Sequence, residues 1–207
     1  MIKEKHDNLT ENAILEAARK VFTHRGYAAA RMEEIAKEAG INRALLHYYF
    51  RSKERLFDLV FAQRAREFFV GLVGIISGAG TLEDKIRAIV AHDIDMIRSQ
   101  PDLPIFIMQE LTQNPDRLVR MAAESGASPS MMMKTFRLAV KEATDKKQIR
   151  PVDAGQLLIN IMSLCVYPFI AKPMVKAVQE LDDKQFDKMI LKRKEEIVDF
   201  IMNSLKP

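Results

Sequence analysis

Residues 35–50, IAKEAGINRALLHYYF, decide how this chain is read, and the RSKERLF that follows carries the pattern on to Phe57. The spacing predicts two short helices joined by a tight turn. Gly40 falls where the first helix must end, and a glycine there takes positive φ without a Cβ clash. Asn42 comes next as the cap of the second helix, its side-chain oxygen placed to accept from an unpaired first-turn amide. Ile35 and Ile41 are apolar anchors, while Ala36 and Ala39 are small enough for two helix backbones to cross closely. Leu46 and Phe50 stand four apart on the second helix, share one face and are expected to bury together. Two helices joined in this way form a helix-turn-helix, whose second helix fits the DNA major groove.

The residues left on the outer face suit that groove. Arg43 matches a guanine edge or a phosphate, and Ala44 permits close approach to a thymine methyl. His47, Tyr48 and Tyr49 bring ring N–H or hydroxyl groups suited to phosphate oxygens. Asn42 and Leu45 complete the expected DNA-facing set. Lys53 follows Ser52 at the start of the next helix, where backbone amides and the helix dipole favour an anion, so a phosphate contact is expected. A plain helical hairpin with a solvated basic face is the competing reading, and the whole span from Gly26 to Leu56 favours DNA over it.

HRGYAAARMEEIAKEAGINRALLHYYFRSKERLF, residues 24–57, resembles the N-terminal DNA-binding domain of the tetracycline-repressor (TetR) family. The resemblance rests on the Gly26-Tyr27 step, the IA-x-x-AG turn, the aromatic run ending in Phe50, and Ser52-Lys53-Glu54 before Leu56. It covers about residues 10 to 57 closely, and beyond that agrees only in length and helical pattern. Three positions depart from it. Ala30 stands where a Thr or Ser is usual, so a hydroxyl expected to cap the helix and touch phosphate is missing, and Arg31 is expected to take over that contact. Leu45 replaces a smaller or hydroxylated residue and His47 a tyrosine, so no relative's target sequence is inherited.

The chain has 207 residues, 48% of them hydrophobic, enough to bury a core in one or two domains. Its formal charge is +4, and residues 1–55 hold 11 Lys/Arg against 8 Asp/Glu, so most of the excess lies near the motif. That placement fits a polyanionic partner. The single cysteine, Cys165, rules out an internal disulfide framework and fits a reducing compartment, the cytoplasm. MIKEKHDNLTEN at the start is charged and unlike a signal peptide. No H-E-x-x-H, no Gly-x-Ser-x-Gly and no glycine-rich phosphate loop occurs, so neither an enzyme nor a cofactor is expected. His92 with Asp95 or Met96 is too small a set for a metal site.

Helical periodicity runs almost throughout, which predicts an all-α fold of about nine helices. The expected organisation is a helix-turn-helix domain over residues 1–51, with its motif at 31–50, and a helical regulatory and dimerisation domain over 52–207. Helices are expected at about Thr10 to Arg25, from Ser52 for about 25 residues, and at about 82–98, 102–113 and 115–147. The helix at 115–147 is expected to be interrupted at Gly126 to Pro129. Ala154 to Ala171 is uncharged, yet Gln156, Asn160, Ser163 and Tyr167 form a polar stripe and Pro168 is expected to break the run, so a protein-buried helix is favoured over a membrane span. The last helix, about Asp183 to Leu205, opposes an apolar face to a row of lysines. These two helices from each of two subunits are expected to build a four-helix bundle, giving the homodimer that a near-palindromic DNA operator requires.

The family resemblance implies a small-molecule pocket in the second domain whose occupancy changes DNA binding, most often as a repressor. Phe69, His92, Met96, Met108, Phe136 and Met162 are the candidate lining residues, with ordinary core packing as their alternative. A helical adaptor that keeps the motif but binds DNA weakly is the alternative function.

Overall fold

The computed structural model describes the backbone of residues 2–101, 103–113, 116 and 129–207, and their side chains except at 2–8, 64–69, 106, 109–111, 113 and 129. Among the described residues there are helices and turns but no strand. Among the described residues ten helices follow one another: α1 Ile2–Ala29, α2 Met32–Glu38, α3 Arg43–Tyr49, α4 Lys53–Ser77 and α5 Leu82–Ser99. They continue as α6 Leu103–Gln113, α7 Pro129–Asp145, α8 Ala154–Ile170, α9 Lys172–Val178 and α10 Asp183–Ser204.

Local chemistry sets these boundaries. α1 is interrupted at Gly26, at φ 69°, close to where the sequence ends it. Gly40, at φ 68°, closes α2, and the Asn42 side chain accepts from the Leu45 N–H at 2.8 Å to open α3. Ser52 opens α4 by accepting from the Arg55 N–H. Thr81 and Asp84 form a reciprocal capping box at α5, as Asp182 and Gln185 do at α10. The expected break at Gly126 to Pro129 falls, apart from Pro129, outside the described residues.

The chain packs as two compact units, residues 1–67 with 105–125 and residues 68–104 with 126–207. The division between these units falls inside α4. Its first turns explain why: Leu56, Phe57, Val60 and Phe61 are buried, and Phe57 meets Phe22 of α1 edge to face at 4.9 Å. In the first unit Ile14, Ala18, Phe22, Ile35, Leu46 and Phe50 are also buried. In the second, α5 lies against α8 and α10, and the core runs from Leu72 through Ile86, Val90, Phe136, Leu157 and Ile161 to Ile201.

One feature of the second unit differs from the expectation. Pro168 lies inside α8 without ending it. A proline leaves the carbonyl four residues back without its helical donor, and here the Leu164 carbonyl accepts from Arg193 Nε of α10 at 3.2 Å instead. The bend comes three residues later, where α8 meets the short α9 at 76°. Among the described residues no single helix is long and apolar enough to cross a membrane. Gln156, Asn160, Ser163 and Tyr167 face outward, and Ala154, Leu157, Ile161, Cys165 and Pro168 face the core.

Candidate DNA interface and regulatory core

The outer face of α3 is assembled from the back. Leu46 is fully buried and Phe50 nearly so, which fixes the helix's roll. Arg43, Ala44, Leu45 and Tyr48 are then exposed, Tyr48 by 78%, while His47 and Tyr49 are half-buried. The Tyr48 and Tyr49 rings meet edge to face at 5.4 Å. Asn42 is exposed too, but its side-chain oxygen is occupied by the cap of α3. Lys20–Glu38 at 3.0 Å and Arg25–Glu34 at 3.7 Å are ion pairs between α1 and α2.

At the start of α2 the N-cap residue is Arg31, not Ala30. Ala30 lies one residue earlier and is buried, so a hydroxyl there would not stand at the cap position. Arg31 is exposed, and its backbone N–H donates to the Glu34 carboxylate at 3.1 Å.

Lys53 is hydrogen-bonded within the first unit. Its ammonium donates to the carbonyls of Tyr27 at 2.9 Å, Ala30 at 3.1 Å and Ala28 at 3.4 Å, and lies 4.6 Å from the centre of the Tyr27 ring. An ammonium has three donors, and here two carbonyls at the end of α1 and one in the α1–α2 connection take them. Lys53 therefore ties the start of α4 to that connection, and a phosphate would have to displace one of these bonds. Lys53→Met is expected to lower the stability of the first unit by about 1.5–3 kcal/mol, the range for hydrogen bonds to charged groups. It should leave the salt dependence of DNA binding close to the parent's, which urea melts and a salt titration of the folded variant together check.

In the second unit, His92 packs against the backbone of α4. A Cβ added to Gly71 would lie 2.3 Å from the imidazole, so only glycine lets the ring approach there. Lys85 is buried and donates to the Ile76 carbonyl at 2.9 Å and to that of Gly78, closing the C-terminal end of α4. Three ion pairs hold α5 to α10: Arg98 to both oxygens of Asp187 at 2.8 and 2.9 Å, Lys194–Asp95 at 2.6 Å, and Arg87–Glu195. The Arg98 hydrogen bonds hold the Asp187 carboxyl below its ordinary value.

The candidate pocket residues differ in exposure. Phe136 is fully buried in the hydrophobic core, and Met96 and Met162 are half-buried. Met108 is 49% exposed and belongs to the other compact unit, and the Phe69 side chain lies outside the described residues. Among the described residues no group of three or more potential ligands could hold a metal ion.

The sequence reading missed Asp93. It is 0% exposed on the core face of α5, between Ile89 and Ile97, and neither carboxylate oxygen has a hydrogen-bond partner. Burial pushes its carboxyl up to about 7. Across the core, burial and then the nearby Asp93 push the Cys165 thiol far above its ordinary value, leaving an inert, structural cysteine. An aspartate at a core position of an otherwise apolar helical face was the available signal.

Residues 14–60 match the family of bacterial regulatory proteins known as tetR, and residues 83–201 match a tetracyclin-repressor-like C-terminal domain. The chain belongs to the TetR family. The HTH-type transcriptional repressor NicS of Pseudomonas putida is 28% identical over 156 residues, 75% of this chain and 67% of NicS. A fatty acid metabolism regulator protein of Bacillus subtilis is 25% identical over 101 residues, 49% of this chain, so the match spans about half (52%) of that relative. Among solved structures, FadR from Bacillus subtilis in complex with stearoyl-CoA aligns at a TM-score of 0.63 and 17% identity, over 93% of this chain and 98% of FadR. AibR in complex with isovaleryl coenzyme A and operator DNA aligns at 0.66 and 18%, over 96% of this chain and 98% of AibR. At these identities the likeness establishes the TetR fold.

Proposed function

We propose that this TetR-family regulator is a homodimeric repressor that reads a near-palindromic operator with α3 and releases it when a small molecule binds the second unit. The observation that carries this reading is the polarity of α3, with Leu46 and Phe50 buried behind a capped N-terminus and Arg43, Ala44, Leu45 and Tyr48 open in front. Support for the dimer comes from outer faces rich in uncovered apolar side chains. Ile159 and Tyr167 on α8 and Leu191 and Phe200 on α10 are exposed, Phe200 by 65%. Two such helices from each subunit make a four-helix bundle, and two-fold symmetry supplies two reading heads. For the effector, the neighbours FadR and AibR bind stearoyl-CoA and isovaleryl coenzyme A, which makes acyl-coenzyme A thioesters the class we assign. The effector must favour the DNA-incompetent arrangement, and a coupling of about 1–3 kcal/mol suffices to change occupancy several-fold or more.

Selection of random duplexes on the purified protein tests this directly. Inverted repeats bound with a steep salt dependence are expected, and stearoyl-CoA or isovaleryl-CoA should lower their occupancy. Arg43→Ala should lose about 1–3 kcal/mol of discrimination at one base pair per half-site. A helical adaptor would instead enrich no sequence, and that outcome sinks the proposal.

A further inference from the structure

Arg43 does not stand alone on the reading face. Its Nη1 donates at 2.7 Å to Oε1 of Glu33, which projects from the first turn of α2. Its Nε points toward His47 Nε2, 3.5 Å away. Both members of the ion pair are open to solvent, Arg43 at 64% and Glu33 at 60% of the side chain. A pair so exposed contributes little to folding. Its consequence lies in where it holds the guanidinium.

With Nη1 on Glu33, the Arg43 guanidinium is bridged to α2 and its Nη2 edge remains for an outside acceptor. Two kinds of acceptor are available on a duplex. Phosphate oxygens carry charge and occur in every sequence, whereas guanine O6 and N7 are neutral and occur in some. A carboxylate one guanidinium away repels the first far more than the second. Bringing Arg43 to a phosphate therefore brings Glu33 toward like charge, while bringing it to a base edge in the groove does so much less.

We propose that Glu33 is a specificity-determining positioning residue: it steers the Arg43 guanidinium toward base edges and penalises the phosphate-bound mode that every duplex offers. The inference rests on the reading of Arg43 as a base contact. It assigns to an acidic residue on a DNA-facing surface the task of weakening indiscriminate binding.

The experiment compares Glu33→Ala, Glu33→Gln and Arg43→Ala with the parent, all shown by thermal melting to be folded. Three duplexes are titrated by fluorescence anisotropy at several salt concentrations. They are the selected operator, the operator exchanged at the base pair where Arg43→Ala loses discrimination, and an unrelated sequence. Glu33→Ala should bind the unrelated duplex several-fold more tightly, with a salt slope steeper by about one. Its discrimination at the Arg43 base pair should fall roughly tenfold. Glu33→Gln keeps an acceptor without the charge, so it should gain the same indiscriminate affinity and keep more of the discrimination. If both Glu33 variants keep the parent's duplex ratios and salt slope while Arg43→Ala loses discrimination, the inference fails and the reading of Arg43 stands. If Arg43→Ala itself discriminates as the parent does, that reading fails and takes the inference with it.

Discussion

Replacing Asp93 with asparagine is expected to remove a stability change of about 4 kcal/mol that the parent shows between about pH 4 and pH 7. Asp93 has no exposed surface and no partner for either oxygen, and its neighbours along α5 are Ile89, Val90, Ile94 and Ile97. Burial raises its carboxyl from the ordinary 3.8 to about 7. The folded state therefore holds a proton that the unfolded chain releases. Stability from this group is complete below about pH 4, declines as pH rises, and is lost once pH passes about 7. An asparagine in its place cannot titrate, so the variant should match the parent most closely near pH 4 and exceed it near pH 8. Asp93→Leu, which also removes the unsatisfied polar atoms, should gain more at pH 8. Urea melts of the second unit at pH 4.5, 6 and 8 measure the slope, and an Asp93→Asn profile parallel to the parent's would refute the assignment.

What the sequence made legible was whatever its local chemistry dictated. The turn at Gly40, the Asn42 cap, the burial of Leu46 and Phe50, and the length of α4 all follow from neighbours a few residues apart. Long-range polar partners were not legible, because side-chain type does not say which carbonyl or carboxylate it will meet. For Lys53, read as a phosphate ligand at a helix start, the carbonyls of Tyr27, Ala28 and Ala30 that surround its ammonium lie more than twenty residues away. Nor does residue type say that Glu33, ten residues earlier, will pair with Arg43. Pro168 reads as a helix end because the periodicity reading had no substitute donor for the Leu164 carbonyl, and Arg193 supplies one from α10. Methionine and phenylalanine at helical spacing mark an apolar face without saying whether a cavity or a neighbouring helix fills the space before it.

Phe57→Ala should be the most damaging single change in the DNA-reading unit, costing about 3–5 kcal/mol. The ring is buried and sits at the hub of an aromatic cluster, 4.9 Å from Phe22 and from Tyr27 edge to face and 5.9 Å from Phe61 in a stacked arrangement. Deleting it leaves a cavity where α1 and α4 meet and removes aromatic contacts that add to plain burial. Tyr27 also supplies the ring beneath Lys53, so the same deletion loosens the tie between α4 and the connection ahead of α2. Phe57→Leu, which fills much of the volume, should recover part of the loss, whereas a defect in DNA contact alone would make the two variants equally stable. Because the second unit has its own core from Leu72 to Leu205, the damage should be local. Hydrogen exchange is expected to show α2 and α3 exposed in Phe57→Ala while α5, α8 and α10 stay protected. Operator affinity should fall with the folded fraction of the first unit and recover in the leucine variant. Uniform loss of protection across both units would mean that they unfold as one, and the independence argued from their separate cores would have to be given up.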